Sequence, residues 1–237
     1  MDLHSHSSFS DGIYSPHQLL EMAKKENLSI FSITDHDTVI GTQIAKKESE
    51  NYTFSYLTGI EISSRYKLEK IEILGYNFNS EYSGFIRVLE HLQNARKDRI
   101  YEILDKLQDV GINISFEDVI KEVGNASSPG RPHFARTMLI KGYVKSVKEA
   151  FEMYLAEGKP AYVPRKAIEP KDAIELINNA NGITVLPHPL FIERHDFQRL
   201  ENILDLLVSW GLKGVEVFYN YSSSFSNFPE KKDKRCH

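Results

Sequence analysis

The sequence has almost no cysteine: its single cysteine, Cys236, excludes a disulfide bond within the chain. No stretch approaches the roughly 18 consecutive apolar residues of a membrane-spanning helix. The N-terminus also lacks the basic region and the apolar run of a secretory signal peptide. Because chains without disulfide bonds suit a reducing compartment, we expect a cytoplasmic protein without a membrane segment.

An excess of positive charge is missing as well. The chain carries 29 Lys and Arg residues against 33 Asp and Glu residues, which gives a formal net charge of −4. Long duplex DNA is bound by neutralising many phosphates, so we predict no binding of long duplex DNA and expect any anion-binding site to be local. With 41% apolar and 26% charged residues, the composition is typical of a globular enzyme. No obligate protein partner is predicted.

Short β-rich runs alternate with helical patterns at both ends of the sequence. The runs cover residues 30–34, 54–60, 70–78, 183–187 and 214–218. Helices are predicted after Ser15, over 170–180 and over about 196–209. This alternation favours an α/β fold with a parallel sheet, either open or closed into a barrel.

Residues 81–160 break this alternation, because their apolar residues repeat at helical spacing with no strand-like run between them. We interpret the segment as a helical insertion between two barrel strands. The predicted organisation is therefore a barrel formed by residues 1–80 and 161–221, the insertion 81–160, and a loose polar tail over 222–237.

Residues that can bind a metal lie at the ends of the predicted strands. His4 and His6 are two residues apart, so at strand spacing both side chains point to the same side. The further candidates are Asp11 in a Ser-Asp-Gly loop, His36 in Thr-Asp-His-Asp, Glu61 in Gly-Ile-Glu and His188 in Pro-His-Pro. Since the carboxyl ends of parallel strands face one mouth, we expect these residues to converge. Histidine and carboxylate together suit Zn²⁺, Mn²⁺ or Fe²⁺ rather than Ca²⁺.

Each motif alone has an ordinary structural explanation. His36 could cap the helix that follows it, and Pro187-His188-Pro189 could be a rigid turn. Five motifs with compatible ligand chemistry at five element ends favour a shared metal site instead. For three other histidines, in charged helical segments, we expect exposed positions without a role: His17, His91 and His195.

Several of these motifs together resemble the polymerase-and-histidinol-phosphatase (PHP) superfamily. The motifs are Asp-Leu-His-Ser-His at 2–6, Ser-Asp-Gly at 10–12, Ile-Thr-Asp-His-Asp-Thr at 33–38, Gly-Ile-Glu-Ile at 59–62 and Pro-His-Pro at 187–189. Gly-Arg-Pro-His-Phe-Ala at 130–135 and Pro-Ala-Tyr-Val-Pro at 160–164 resemble one branch of it. That branch contains bacterial phosphoesterases that act on nucleotides or short oligoribonucleotides, including RNase AM-like 5′-3′ exonucleases. The resemblance implies a distorted (β/α)₇ barrel with a helical insertion, and two or three divalent metal ions (Mn, Zn or Fe) at its mouth.

The resemblance also implies a role for individual residues. His4, His6 and Glu61 would hold one metal; Glu61 and His188 a second; Asp11 and His36 a third. Asp2 and Asp35 would orient histidines, while Glu216 would either support the metal ligands or help to close the barrel. The candidates for protonating the leaving group are His188 and Asp35, acting through water. The candidates for binding substrate phosphate are Arg131, His133, Arg165 and Lys166.

Two positions depart from the family pattern. Glu72 stands where relatives often carry a histidine ligand, and a carboxylate changes the charge and hardness of that metal site. The family's later Gly-Ser-Asp-x-His motif does not follow Tyr219-Asn220-Tyr221. We therefore expect a barrel that is incomplete at its C-terminal strand, with two ligands missing and at most two metals bound.

The predicted function is hydrolysis of phosphate esters of nucleotides or short oligoribonucleotides by a metal-bound hydroxide. Two alternatives stay open at this point. One is a histidinol-phosphate-type phosphatase for small metabolites, although Gly-Arg-Pro-His favours the nucleotide branch. The other is an inactive metal-binding PHP module with a binding or regulatory role, which the missing motif would explain.

Overall fold

A five-stranded sheet positions the residues of interest in the computed structural model, which describes residues 1–67, 69–123, 129–164, 166–192 and 197–219. The strands are β1 (Ile30–Ile33), β2 (Ser55–Tyr66), β3 (Glu69–Tyr76), β4 (Ile183–Leu186) and β5 (Gly214–Val215). They lie side by side in chain order. All five strands predicted from the sequence are confirmed, although β2 is longer and β5 is shorter than expected.

The sheet is mixed, which corrects the expectation of a parallel sheet. β1 pairs with β2, and β4 with β5, in parallel, but β3 is antiparallel to both β2 and β4. Only residues 67 and 68 separate β2 from β3, and a parallel pairing would need a crossover of about a dozen residues. The antiparallel register places Ser63 opposite Glu72 and Glu61 opposite Leu74. Glu61 and Glu72 are thereby held on adjacent strands.

The N-terminal segment runs beside β1. Asp2 pairs in parallel with Phe31, and the amide of Thr34 donates to the carbonyl of Ser5 at 2.8 Å. A further parallel bridge joins His36 to Glu61. These pairings bring the N-terminus, the loop after β1 and the middle of β2 to one side of the sheet.

The other elements are helices. They are α1 (Pro16–Lys25), α2 (Ile40–Glu48), α3 (Ser83–Asp109), α4 (Phe116–Lys121), α5 (Arg131–Ile140), α6 (Val147–Ala150), α7 (Pro170–Asn179) and α8 (Phe197–Ser209). Short 3₁₀ turns occupy Ser49–Asn51 and Pro189–Phe191, and a π turn over Phe151–Leu155 continues α6. The predicted start of α1 is confirmed: Ser15 and Gln18 form a reciprocal capping box, with proline at the first helical position. None of the helices in the described ranges is both long and apolar enough to cross a membrane.

The buried apolar side chains form three clusters. The first packs β2 and β3 against α7, α8 and the beginning of α3, and another packs β1 against α1 and α2. The remaining cluster lies among helices α3 to α6 and ends at Val163. Helix α3 belongs to two clusters, because Phe85 and Leu89 face the sheet while Ile103 and Leu107 face the helices. The division into barrel, insertion and tail stays a prediction, and the tail lies outside the described residues.

Candidate metal centre

The carboxylate of Glu61 lies at the centre of a cluster of four histidines. Its Oε2 lies 3.4 Å from Nε2 of His4, 3.3 Å from Nε2 of His6 and 3.2 Å from Nδ1 of His36. Its Oε1 lies 3.2 Å from Nε2 of His188. Glu61 is only 1% exposed, and a buried carboxylate is costly unless polar partners or cations compensate it. The four imidazoles supply that compensation.

The loop after the N-terminal segment adds a more exposed carboxylate. Oδ1 of Asp11 lies 3.3 Å from Nδ1 of His6, and its Oδ2 lies 3.6 Å from Nε2 of His36. All six residues predicted as metal ligands therefore come together, although they were scattered over more than 180 positions. Their role as ligands stays a prediction.

Three sets of side chains have ligand atoms that all lie within 4.8 Å of one another. The sets are His4, His6 and Glu61; His6, Asp11 and His36; and His36, Glu61 and Glu72. Each set combines imidazole nitrogen with carboxylate oxygen, which suits Mn²⁺, Fe²⁺ or Zn²⁺. Because His6, His36 and Glu61 each belong to two sets, the geometry suits adjacent metal ions that share ligands.

Two buried atoms within the cluster make no hydrogen bond inside the described part of the chain: Nδ1 of His36 and Oε1 of Glu72. They lie 3.7 Å apart. Nζ of Lys70 lies 2.8 Å from the same Glu72 oxygen, without hydrogen-bond geometry. Buried polar atoms are seldom left unsatisfied, and a cation between these two would satisfy both. These two unsatisfied atoms indicate that the residues of the cluster are suited to binding a metal ion.

The electrostatics of the cluster also suit a cation. Burial lowers the pKa of His4, but hydrogen bonds to Glu216 and Glu61 outweigh burial and raise it to about 10. Burial alone would raise the pKa of Glu61, yet the hydrogen bond with His188 and the charge of His36 hold it well below its ordinary value. Burial lowers the pKa of His36 itself. Glu61 therefore favours its ionised form, and a cation held by His4 and Glu61 would compete with a proton for His4.

Glu216 supports two of the candidate ligands. Its Oε1 lies 3.0 Å from Nδ1 of His4, and its Oε2 accepts the backbone N–H of His188 at 2.8 Å. A carboxylate on the far nitrogen of a metal-binding histidine fixes the ring orientation and raises its basicity. Of the two roles left open for Glu216, the contacts favour support of the metal ligands.

The two aspartates expected to orient histidine rings bind other groups. Oδ1 of Asp2 accepts the backbone N–H of His4 at 3.2 Å rather than a ring nitrogen. Asp35 is fully buried, and its oxygens accept hydrogen bonds from Ser7 N, Ser7 Oγ and Ser10 Oγ at 2.6–2.7 Å. Asp35 therefore holds the loop before Asp11 in place and reaches the ring of His6 through Ser10, whose Oγ lies 3.4 Å from Nδ1 of His6.

Asp37 was not singled out by the sequence analysis, although it belongs to the same motif as His36. Its Oδ1 accepts the backbone N–H of Ser63 at 2.7 Å, and its Oδ2 forms an ion pair with Nη2 of Arg96 at 2.8 Å. Arg96 lies in the middle of α3. Asp37 thereby connects the loop that carries His36 to both β2 and α3. The sequence did not predict this ion pair, because helical periodicity does not distinguish Arg96 from an ordinary surface arginine.

His188 adopts an unusual backbone conformation. Its φ of 31° and ψ of 58° place it in the left-handed region, which non-glycine residues rarely adopt and which is restricted further before a proline such as Pro189. The hydrogen bond to Glu216 helps to hold this conformation. Such strain is typical of functional positions.

Two of the predicted phosphate-binding residues, Arg131 and His133, have contacts outside the cluster of histidines around Glu61. Arg131 begins α5, donates to the carbonyl of Leu155 at 3.1 Å and lies over the rings of Phe151 and Tyr162. Nδ1 of His133 accepts the N–H of Gly130 at 2.9 Å. These partners of Arg131 and His133 all lie within residues 130–162. Lys166 is exposed, and Arg165 lies outside the described residues.

The prediction that His17 and His91 are exposed is confirmed. His17 pairs at the surface with Glu48 at 3.0 Å, and His91 is exposed on α3. His195 lies outside the described residues.

Comparison with known proteins is consistent with this geometry. Residues 2–169 match the family described as PHP domain. A 5′-3′ exoribonuclease of Haemophilus influenzae is 32% identical over 216 residues, which cover 91% of this chain and 78% of that protein. A 3′,5′-nucleoside bisphosphate phosphatase of Chromobacterium violaceum is 28% identical over 219 residues, covering 92% and 76% of the two chains.

Two solved structures are similar to this chain in fold. An amidohydrolase from Chromobacterium violaceum, solved with bound sulfate and no metal, superposes with a TM-score of 0.77 at 26% identity and covers 90% of this chain and 75% of its own. A Bifidobacterium adolescentis protein proposed to be a metal-dependent phosphoesterase has a TM-score of 0.76 at 26% identity, with 92% and 76% covered. The predicted fold class, α/β with a distorted barrel, is confirmed.

We expect Glu216→Ala to weaken Mn²⁺ binding by about 10- to 100-fold, because loss of the carboxylate behind a metal-binding histidine typically has this effect. Isothermal titration calorimetry of the metal-free protein measures it. Asp205→Ala, which removes an exposed carboxylate from α8, is the control and should bind Mn²⁺ like the wild type. Equal affinities for all three proteins would contradict the supporting role of Glu216.

Replacement of Glu72 tests whether this carboxylate ligates. Glu72→Gln should lower the number of Mn²⁺ ions bound per chain at saturation by one, because a neutral amide is a poor substitute for a carboxylate ligand. Metal content after gel filtration in a fixed Mn²⁺ concentration is the measurement. Glu69→Gln on the same strand, whose carboxylate pairs with Arg199 instead, is the matched control. An unchanged metal count in Glu72→Gln would remove Glu72 from the set of ligands.

Proposed function

The chain belongs to the PHP domain family and is a metal-dependent phosphoesterase, and we propose that its substrates are nucleotides or the ends of short oligoribonucleotides. The observation that carries the proposal is the convergence of four histidines on the buried carboxylate of Glu61. The exoribonuclease and the bisphosphate phosphatase among the relatives both act on phosphate esters of nucleotides. Their similarity over most of the chain supports the same substrate class here.

The proposed chemistry follows from the ligands. Divalent ions, when bound at this centre, supply a water of lowered pKa and polarise the oxygens of a phosphate ester. Glu61 has two oxygens directed at different histidines, so its carboxylate would help to hold the ions together with these histidines. His4 and His6 would bind on one side of it, and His188 on the other.

The two candidates for protonating the leaving group fare differently. Asp35 has no accessible surface and accepts three hydrogen bonds from Ser7 and Ser10, which keeps it away from any substrate. Nε2 of His188 faces Glu61 and Glu72, the position of a metal ligand. A nitrogen that binds a metal cannot donate a proton, so the geometry favours the ligand role for His188, and we propose that solvent protonates the leaving oxygen.

Arg131 remains the proposed phosphate-binding residue. Its guanidinium can present paired N–H donors to a phosphate, which a lysine cannot do. Its contacts with Leu155, Phe151 and Tyr162 hold the side chain at the first turn of α5. We propose the same task, with weaker support, for His133, Lys166 and Arg165.

The inactive-module alternative rests on the motif missing after Tyr221. The segment from residue 220 onwards lies outside the described residues, and the ligand sets assemble without it. We therefore favour the enzyme.

The direct test is hydrolysis. With Mn²⁺ present, the protein should release phosphate from adenosine 3′,5′-bisphosphate or nucleotides from short 5′-phosphorylated RNA, and EDTA should abolish this activity because the nucleophile depends on the metal. Phosphate release and product chromatography are the measurements. Full metal occupancy without turnover of any phosphate ester would favour the binding module, and faster turnover of histidinol phosphate than of nucleotides would favour the small-metabolite phosphatase.

Arg131→Ala should lower kcat/KM for adenosine 3′,5′-bisphosphate on the order of 100-fold, because removal of one donor to a charged reacting group has an effect of this size. Arg136→Ala, which removes an exposed arginine from the same helix, serves as the control. Thermal unfolding of both variants separates loss of phosphate binding from loss of the contacts with Leu155. A wild-type rate for a folded Arg131→Ala would exclude Arg131 from the phosphate site.

A further inference from the structure

A cleft of about 270 Å³ opens beside the metal centre. It is lined by Lys70, Glu72, Pro187, His188, Phe191 and Ile192. Glu72 and His188 also face the centre, with 3.5 Å between Oε2 of Glu72 and Nε2 of His188. A ligand bound in the cleft would therefore lie next to a phosphate group that reacts at the metal centre.

The lining residue Phe191 belongs to a group of aromatic rings that also includes His188 and, next to the cleft lining, Tyr219. The ring of Phe191 lies 5.2 Å from that of His188, and the ring of Tyr219 lies 5.3 Å from His188 and 5.6 Å from Phe191, edge to face. The backbone N–H of Phe191 donates to the carbonyl of His188 at 3.0 Å, within the 3₁₀ turn that begins at Pro189. Proline and the hydrogen bonds of this turn hold His188 and Phe191 in fixed relative positions.

The remaining lining combines apolar surface with one ion pair. Pro187 and Ile192 are apolar, while the side chain of Lys70 is 59% exposed and its Nζ lies 2.8 Å from Oε1 of Glu72, which also lines the cleft. A planar, weakly polar group matches this combination of apolar surface and compensated charge. The volume is slightly below the roughly 300–1,000 Å³ of sites for drug-sized ligands, so the cleft suits one nucleoside and is too small for several nucleotides.

We propose that this cleft binds the base of the nucleotide whose phosphate is cleaved at the metal centre, by stacking on Phe191, whose ring is held in position by Tyr219. The inference rests on the proposed function and specifies which part of the substrate is recognised and where. Every base has a π face, so stacking tolerates any sequence. The enzyme should therefore require a base next to the scissile phosphate and show little preference among bases.

The experiment compares variants of the two rings in the Mn²⁺-loaded protein. Phe191→Leu and Tyr219→Leu keep apolar volume but remove the aromatic face. We expect each to raise KM for adenosine 3′,5′-bisphosphate on the order of 10-fold, the scale of one base–aromatic stack, with kcat and Mn²⁺ content unchanged. Phe191→Tyr should restore the wild-type KM. The matched controls are Phe197→Leu and Phe218→Leu, at positions 77% and 86% exposed, which should behave like the wild type.

Two inhibitors separate the base from the phosphate. Adenosine contains the base without a phosphate, and its inhibition constant should rise in Phe191→Leu and Tyr219→Leu by the same factor as KM. Ribose 5-phosphate contains the phosphate without a base, and its inhibition constant should not change. Equal weakening of both inhibitors, or a loss of Mn²⁺ in the variants, would mean that the rings act through the metal centre and would overturn the proposal.

Failure of this inference differs from failure of the proposed function. If the wild type hydrolyses nucleotides but neither leucine variant changes KM, the cleft does not bind the base, although the enzyme is still a nucleotide phosphoesterase. If the wild type hydrolyses histidinol phosphate and no nucleotide, the proposed function itself is wrong, and the base-binding cleft is wrong with it.

Discussion

The burial of one carboxylate, that of Glu61, is the constraint on which the centre depends. An isolated ionised carboxylate inside a protein is strongly destabilising, and removing one partner from a buried ion pair leaves an uncompensated charge. Glu61 is ionised because His188, His36, His4 and His6 surround it. Any substitution that displaces one of these rings disturbs both the metal centre and the middle of strand β2. Function and local stability are therefore coupled at this residue, and divalent cations would strengthen the same arrangement.

The sheet explains how such a cluster can form. Parallel pairing of β1 with β2 places the loop that carries His36 beside Glu61, and this pair forms a bridge of its own. Antiparallel pairing of β2 with β3 then brings Glu72 to the same place from the other side. A wholly parallel sheet would collect ligands only at its strand ends, whereas this mixed sheet uses an acidic residue within a strand. That difference gives the centre its additional carboxylate.

Contacts around the centre connect it to the rest of the molecule. Asp37 links the His36 loop to β2 and, through Arg96, to helix α3. Helix α3 also contributes to the apolar cluster of the helical region, where Arg131 lies. Glu216 links His4 to the turn that carries His188 and Phe191. The metal ligands, the proposed phosphate-binding helix and the aromatic cleft are thus held by a few charged side chains whose partners are distant in the chain.

The sequence by itself determined the elements and which residues are candidates for binding a metal. Caps, periodicity and strand propensity act over a few neighbouring positions, so the start of α1 at Pro16 and the positions of the strands were predictable, and the spacing of His4 and His6 indicated a shared metal. Only the tertiary structure decided the antiparallel course of β3, the partners of Asp35, the approach of Glu72, and the pairs Asp37–Arg96 and His4–Glu216, whose members are 59 and 212 positions apart. No local pattern encodes such pairs, because the packing of the sheet and helices sets the distance between them. For the same reason the cleft lined by His188 and Phe191, with Tyr219 packed against both rings, became visible only in the folded chain.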